Sequence, residues 1–148
     1  MSTVGIDSQL CFALYSASRA MTAAYRPILA ELNLTYPQYL VLLVLWEDER
    51  VTVRRLGERL QLDSGTLSPL LKRLELNGFV RRERSRDDER LVEVTLTPAG
   101  RRLEQKAQCI PAELGAATGI SEKQAADLRD AVRQLTDALS ASSRRESA

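Results

Sequence analysis

The chain of 148 residues contains no histidine and only two cysteines, Cys11 and Cys109. A zinc site of ordinary type needs three or four such ligands, so no metal or other cofactor is expected. The missing histidine also removes the usual base that activates a Cys or Ser nucleophile, which argues against hydrolase chemistry. No βαβ pattern and no C-x-x-C motif appears, which speaks against a thiol peroxidase built on Cys11. No apolar run approaches the roughly 20 residues of a membrane span. The longest, Tyr39–Trp46, suits a buried helix. Without a secretory leader the expected location is cytoplasmic, where thiols are held reduced. Net charge is only +1, so any case for nucleic-acid binding has to rest on where the charges lie.

Helical signals dominate what is present. Residues 7–32 carry a broad apolar stripe (Leu10, Leu14, Met21, Ile28, Leu32), which predicts a long helix bent or ended near Pro27. Thr35 with Gln38 reads as a capping box opening a helix to about Glu47. Thr52 caps a short helix to Leu60, and Asp63 or Ser64 caps another that Asn77-Gly78 stops after Leu76. Strands are expected near residues 79–83 and 91–96, joined by a polar turn. In the second, Val92, Val94 and Leu96 alternate with Glu93 and Thr95. Thr97-Pro98 starts a helix to about Ala117 with a break near Pro111. Ser121 with Gln124 opens a last helix lined by Leu128, Val132, Leu135 and Leu139.

The fold class that follows is mostly α with a small β-wing, a winged helix-turn-helix. With 44% hydrophobic and 28% charged residues, the chain suits one domain of residues 1–148. Its parts are N-terminal helices for dimerisation and sensing (7–47), a winged-helix DNA-binding core (48–97), C-terminal dimerisation helices (98–143) and a disordered tail (144–148). The terminal helices are poorly placed to close one small core, and a second copy of the chain would cover their stripes.

The stretch LDSGTLSPLLKRLELNGFV has the composition of a recognition helix. Ser64, Thr66 and Ser68 put small hydroxyls in its first turns, Lys72 and Arg73 lie further along for phosphates, and Leu67, Leu70, Leu71 and Leu74 face inward. Pro69 is tolerable only near the helix start. Between Val53 and Arg90 ten Lys/Arg stand against seven Asp/Glu, and five of the ten (Arg81, Arg82, Arg84, Arg86, Arg90) fall in the hairpin. Asp88 and Arg90 sit two apart, so a carboxylate can hold an extended guanidinium suited to a narrow minor groove.

The order helix, helix, wing and D-x-R tip resembles the MarR family of dimeric bacterial repressors over nearly the whole chain. LTYPQYLVLLVLWE, LDSGTLSPLLKRLE and RSRDDERLVEVTLT resemble its organic-hydroperoxide-sensing branch, OhrR. That resemblance implies a single MarR-type domain that binds palindromic operator DNA as a homodimer and lets go when Cys11 is oxidised by an organic hydroperoxide. Ser64, Thr66, Ser68, Lys72, Arg73, Arg84, Arg86, Asp88 and Arg90 are the expected DNA-binding residues.

Cys11 lies in the first turns of its helix, where the helix dipole favours an anion and a thiolate can react with peroxide. Tyr15 is one turn on. Tyr25, fourteen positions further, is about 21 Å away along the helix axis and cannot touch Cys11 of its own chain. Resemblance implies that Tyr25 and Tyr36 donate their hydroxyls to the cysteine of the partner. Small residues (Ser16, Ala17, Ser18, Ala20) allow two such helices to cross closely. Cys109 is a candidate resolving cysteine for Cys11 of the other subunit; a low-molecular-weight thiol is the alternative. Two further readings stay open at this stage: a regulator induced by a bound apolar or phenolic molecule, and a helical dimer that scaffolds other proteins.

Overall fold

In the computed structural model, which describes residues 4–146, the polypeptide falls into two compact units that meet between Ile110 and Pro111. The first unit opens with a 3-10 turn, Ile6–Ser8, followed by α1 (Leu10–Ala30), α2 (Tyr36–Asp48), β1 (Arg50–Thr52), α3 (Val53–Leu60), α4 (Ser64–Leu76), β2 (Val80–Arg84), β3 (Val92–Leu96) and α5 (Pro98–Ala107). Next comes α6 (Ile110–Thr118), which spans the division. The second unit ends in α7 (Glu122–Glu146).

Local chemistry sets most of these boundaries. The Thr35 hydroxyl accepts from the Gln38 backbone N–H, and the Gln38 side chain accepts from the Thr35 N–H at 3.0 Å. This reciprocal cap satisfies two of the orphan donors at the start of α2. Thr52 caps α3, Asp63 caps α4 and Thr97 caps α5 with Pro98 in the first turn. Ser121 and Gln124 repeat the reciprocal cap at 3.1 and 2.9 Å. Gly78 takes φ +79, a left-handed conformation that costs glycine nothing and ends α4.

Three points bear on the sequence expectations. Of the bend or end expected near Pro27, an end at Pro27 itself does not occur: α1 continues to Ala30. The proline's missing N–H forfeits one bond near the last turn, and fully buried Leu29 anchors the helix end. Secondly, the expected tail is ordered as far as Glu146. Ser142 and Ser143 return their hydroxyls to the carbonyls of Ala138 and Leu139, and Arg144 and Arg145 complement the negative helix end. Residues 147–148 of that expectation lie outside the described residues. Thirdly, the short β1 went unforeseen; Thr52 ends it and caps α3 at once. The break before α6 falls at Gln108 and Cys109, leaving Pro111 in the first turn of α6, where its lost donor is not needed.

Helix α2 is apolar nearly all round, and its burial follows: Gln38, Tyr39, Val41, Leu42, Val44 and Leu45 are buried, while Leu40, Leu43 and Trp46 on the remaining face are half-buried. Val41, Leu42 and Leu45 are 0% exposed, and the helix touches α1, α3, α4, α5, β1 and β3. Leu56 of α3, Leu67, Leu71 and Leu74 of α4, and Val94 of β3 complete the core. The antiparallel sheet runs β1-β3-β2, with Val94 opposite both Val51 and Arg82. Gly100 lies where a side chain would overlap the Phe79 carbonyl oxygen, and its own carbonyl accepts from the Trp46 indole N–H at 3.0 Å.

Truncating the central helix with Leu45→Ala is expected to cost about 2–5 kcal/mol, the transfer term plus a cavity. Gly100→Ala is expected to cost about 1–3 kcal/mol through overpacking against backbone. Chemical denaturation of both variants checks this, and unchanged midpoints would contradict the packing described.

Candidate nucleic-acid interface and thiol site

Helices α3 and α4 form the helix-turn-helix. The turn is tight: the Leu62 N–H donates to the Gly57 carbonyl at 3.0 Å, and a Cβ at Gly57 would come within 2.9 Å of the Leu62 carbonyl oxygen. The Asp63 carboxylate accepts from the Thr66 N–H at 2.7 Å, and that bond holds its carboxyl below the usual carboxylate range. Leu67, Leu71 and Leu74 face the core with Leu70 half-buried. Ser64, Thr66, Ser68, Lys72 and Arg73 are all exposed on the other side. Pro69 sits in the second helical turn rather than the first, and forfeits only the bond to the Gly65 carbonyl.

The wing tip is organised from within. Ser85, 4% exposed, donates its N–H to the Leu91 carbonyl at 2.8 Å, and its hydroxyl oxygen accepts from the N–H groups of Asp87 and Asp88. Asp88 accepts from the Arg90 backbone N–H at 3.1 Å and from its guanidinium at 3.1 and 3.2 Å. This forked pair holds the Asp88 carboxyl below its ordinary range. The pair was expected on one side of a strand; it forms in the turn, where an Asp side chain readily bonds backbone two residues on. The Arg90 side chain stays 89% exposed. Arg86 is exposed as well, while the Arg84 guanidinium donates to the Glu89 carbonyl at 2.9 Å and braces the turn.

The thiol residues divide into two places. Cys11 is the second residue of α1 and exposed, and Tyr15 one turn on is exposed with its ring 5.6 Å from the Arg19 guanidinium. Around them Leu10, Phe12 and Met21 are also exposed. Tyr25, at the far end of α1, packs its ring 4.7 Å from Tyr36 and 5.8 Å from Tyr39, both on α2. Tyr39 in turn lies 6.2 Å from Trp46. Burial, then the neighbouring phenols of Tyr36 and Tyr39, push Tyr25 up to about 12. Burial raises Tyr36 too, and raises Tyr39 together with the charges of Tyr36 and Cys109. All three phenols therefore stay protonated donors at neutral pH. Among the described residues, no side chain or carbonyl of the chain accepts from the Tyr25 or Tyr36 hydroxyl. Cys109, within electrostatic reach of Tyr39, is exposed, with its Sγ 3.4 Å from the Lys106 carbonyl. One chain thus brings Tyr25 and Tyr36 together and keeps Cys11 away from both.

Residues 23–107 match the family of the transcriptional regulator SarA/Rot. The chain belongs to that family. It is 54% identical over 136 residues to the HTH-type transcriptional regulator TtmR of Methylorubrum extorquens, covering 92% of this chain and 70% of that protein. It is 51% identical over 134 residues to the organic hydroperoxide resistance transcriptional regulator of Bacillus subtilis, covering 90% and 86%. Among solved structures, AbfR of Staphylococcus epidermidis aligns with TM-score 0.75 and 36% identity over 90% of this chain and 92% of its own. AbfR has also been solved reduced on DNA, overoxidised on DNA and disulfide-formed. The fold is the winged helix of MarR-type regulators, and the chain is a transcriptional regulator rather than an enzyme. Among the described residues no helix is long and apolar enough to cross a membrane.

Two residues at this interface carry no signal that sequence reading could use. Glu75 at the end of α4 and Arg82 of β2 form a forked pair, with the Arg82 Nε and Nη2 both 2.9 Å from Glu75 Oε2. In the sequence they are two more charges in a mixed run.

Because folding raises the Tyr25 value above its ordinary 10, the folded state holds that proton more tightly. Stability should be intact below pH 10 and fall as pH rises from there toward 12. Phenolate absorbance is expected to show a component titrating near 12 that disappears in Tyr25→Phe; its persistence in that variant would refute the assignment.

Proposed function

We propose that the chain is a homodimeric redox sensor that represses transcription from palindromic operator DNA and dissociates when an organic hydroperoxide oxidises Cys11. The observation that carries this reading is the Tyr25–Tyr36 pair: two half-buried, protonated phenols, 4.7 Å apart, whose hydroxyls have no acceptor within the described chain. Tyr25 and Cys11 share one continuous helix, about 21 Å apart at 1.5 Å per residue. Only a second chain can bring the Cys11 thiol to those phenols. The exposed apolar residues of α1, with Leu128 and Leu139 of α7, supply surface for such an association. On this reading the whole chain acts as a single MarR-type domain, the helices flanking the winged core serving as dimerisation arms.

The chemistry balances without a cofactor. The Cys11 thiolate attacks the distal oxygen of the hydroperoxide, the O–O bond breaks, and the departing alkoxide takes a proton to leave as an alcohol. Sulfur is oxidised to a sulfenic acid and the peroxide is reduced. A second thiol then condenses with the sulfenic acid, forming a disulfide and releasing water. Exposed Cys109 of the partner is one candidate for that thiol; a small cellular thiol is the other. Tyr25 and Tyr36 hydrogen bond the thiolate and favour its charged form, with Tyr15 beside it. Oxidation removes that acceptor and leaves buried hydroxyls unsatisfied at about 1–3 kcal/mol each. That suffices to shift a two-state dimer.

On DNA, α4 enters a major groove with Ser64, Thr66 and Ser68 toward bases and Lys72 and Arg73 toward phosphates. The wing lies alongside, Arg84 and Arg86 near the backbone and Arg90, aimed by Asp88, in the adjacent minor groove. The relatives at 54% and 51% identity are transcriptional regulators, and AbfR has been solved on DNA in two redox states.

Cys11→Ser is expected to bind operator as the wild type does and to ignore organic hydroperoxide in an electrophoretic-shift titration; release of both proteins alike would sink the sensing role. Arg90→Ala is expected to weaken operator binding about tenfold or more at fixed salt while leaving peroxide consumption by Cys11 unchanged. Equal affinity would remove the wing from the interface.

A further inference from the structure

We infer that Glu75 and Arg82 are positioning residues that set the angle of the wing against the recognition helix, so that operator affinity depends on them although neither touches DNA. This rests on the winged-helix reading of DNA binding proposed above.

The argument starts from the alternation of β2. Val80, Arg82 and Arg84 point to one face of the strand. Val80 at its start is 2% exposed against the core, so Arg82 also begins under the sheet. A guanidinium on such a face requires a matched partner. Of the hairpin's five arginines it alone is half-buried, its side chain 29% exposed, whereas Arg81, Arg84, Arg86 and Arg90 are exposed. Glu75, 32% exposed, meets it from the last turn of α4. One carboxylate oxygen, Oε1, accepts from the Arg82 backbone N–H at 2.9 Å; the other, Oε2, accepts from the guanidinium at 2.9 Å. A single side chain of the recognition helix thus holds both the main chain and the side chain of the wing strand.

The geometry has a mechanical meaning. Between α4 and β2 the chain passes through Asn77, Gly78 and Phe79, a turn closed by backbone bonds: the Gly78 and Phe79 N–H groups donate to the Glu75 and Leu74 carbonyls at 2.9 and 3.0 Å, and the Thr97 N–H donates to the Phe79 carbonyl at 3.0 Å. The Glu75–Arg82 pair reaches past that turn and ties β2 to α4 two residues beyond the strand's start, and Arg82 is opposite Val94 in the strand that returns from the tip. With α4 seated in one groove, the clamp decides whether Arg90 reaches the next. Arg82 is spent on Glu75 and is not a phosphate contact.

A double-mutant cycle tests this with the full-length protein and its operator. Glu75→Gln keeps the side-chain shape and one carbonyl oxygen but loses the charge; it is expected to weaken binding about tenfold in the wild-type background and less than twofold in Arg90→Ala. Arg82→Gln should behave the same way, and the two together no worse than either alone. A role confined to stability would lower the thermal midpoint and reduce affinity by equal factors in both backgrounds, and that result, like unchanged affinity in both Gln variants, overturns the inference. If Arg90→Ala itself binds as the wild type does, the winged-helix reading beneath it has failed instead.

Discussion

Burial of α2 is the constraint from which the rest of this molecule follows. A helix with Val41, Leu42, Val44 and Leu45 buried over a broad face and Leu40 and Leu43 half-buried behind them cannot rest on a surface, so α1, α3, α4, α5 and the sheet gather round it. Its reciprocal Thr35–Gln38 cap fixes where it begins, and therefore the height at which Tyr36 and Tyr39 emerge. The same helix presents those phenols to Tyr25 at one end and Trp46 to the Gly100 carbonyl at the other. A change at the tyrosine pair is thus borne by the helix that also seats α3 and α4. No flexible connector separates the candidate sensor from the candidate reader.

The wing tip is ordered differently. Its strands are anchored in the core by Val80, Val94 and Leu96, but the turn between them is not. Ser85, Asp88 and Arg90 close the turn by side-chain bonds to nearby backbone, and the forked Asp88–Arg90 pair extends a guanidinium into solvent. Such an exposed pair adds little to stability. What it supplies is a pre-set direction for one charge, which lowers the ordering cost of engaging a groove. The Glu75–Arg82 pair does for the whole hairpin what Asp88 does for its tip.

Much of this was legible in the chain because the signals are local. Capping residues at Thr35, Thr52, Asp63, Thr97 and Ser121 each satisfy backbone donors within three residues, and all five open helices. The inward stripe Leu67, Leu71, Leu74 follows helical periodicity. The polar tail misled for the opposite reason: the last turns of α7 are held by hydroxyls and charges that also suit a disordered segment. Whether Pro27 ends α1 likewise depends on Leu29 being anchored elsewhere. Strand β1, three residues long, exists only because β3 offers it a ladder.

By itself the sequence determined the element order, the caps, the apolar faces and the residue types that a thiol sensor and a groove reader require, since these depend on neighbours within a turn or a strand. Tertiary structure alone decided that the rings of Tyr25, Tyr36 and Tyr39 share one cluster. It alone matched Glu75 with Arg82 among ten basic and seven acidic side chains. Periodicity tells a side chain which way to face; only the packing of one element against another tells it whom it meets.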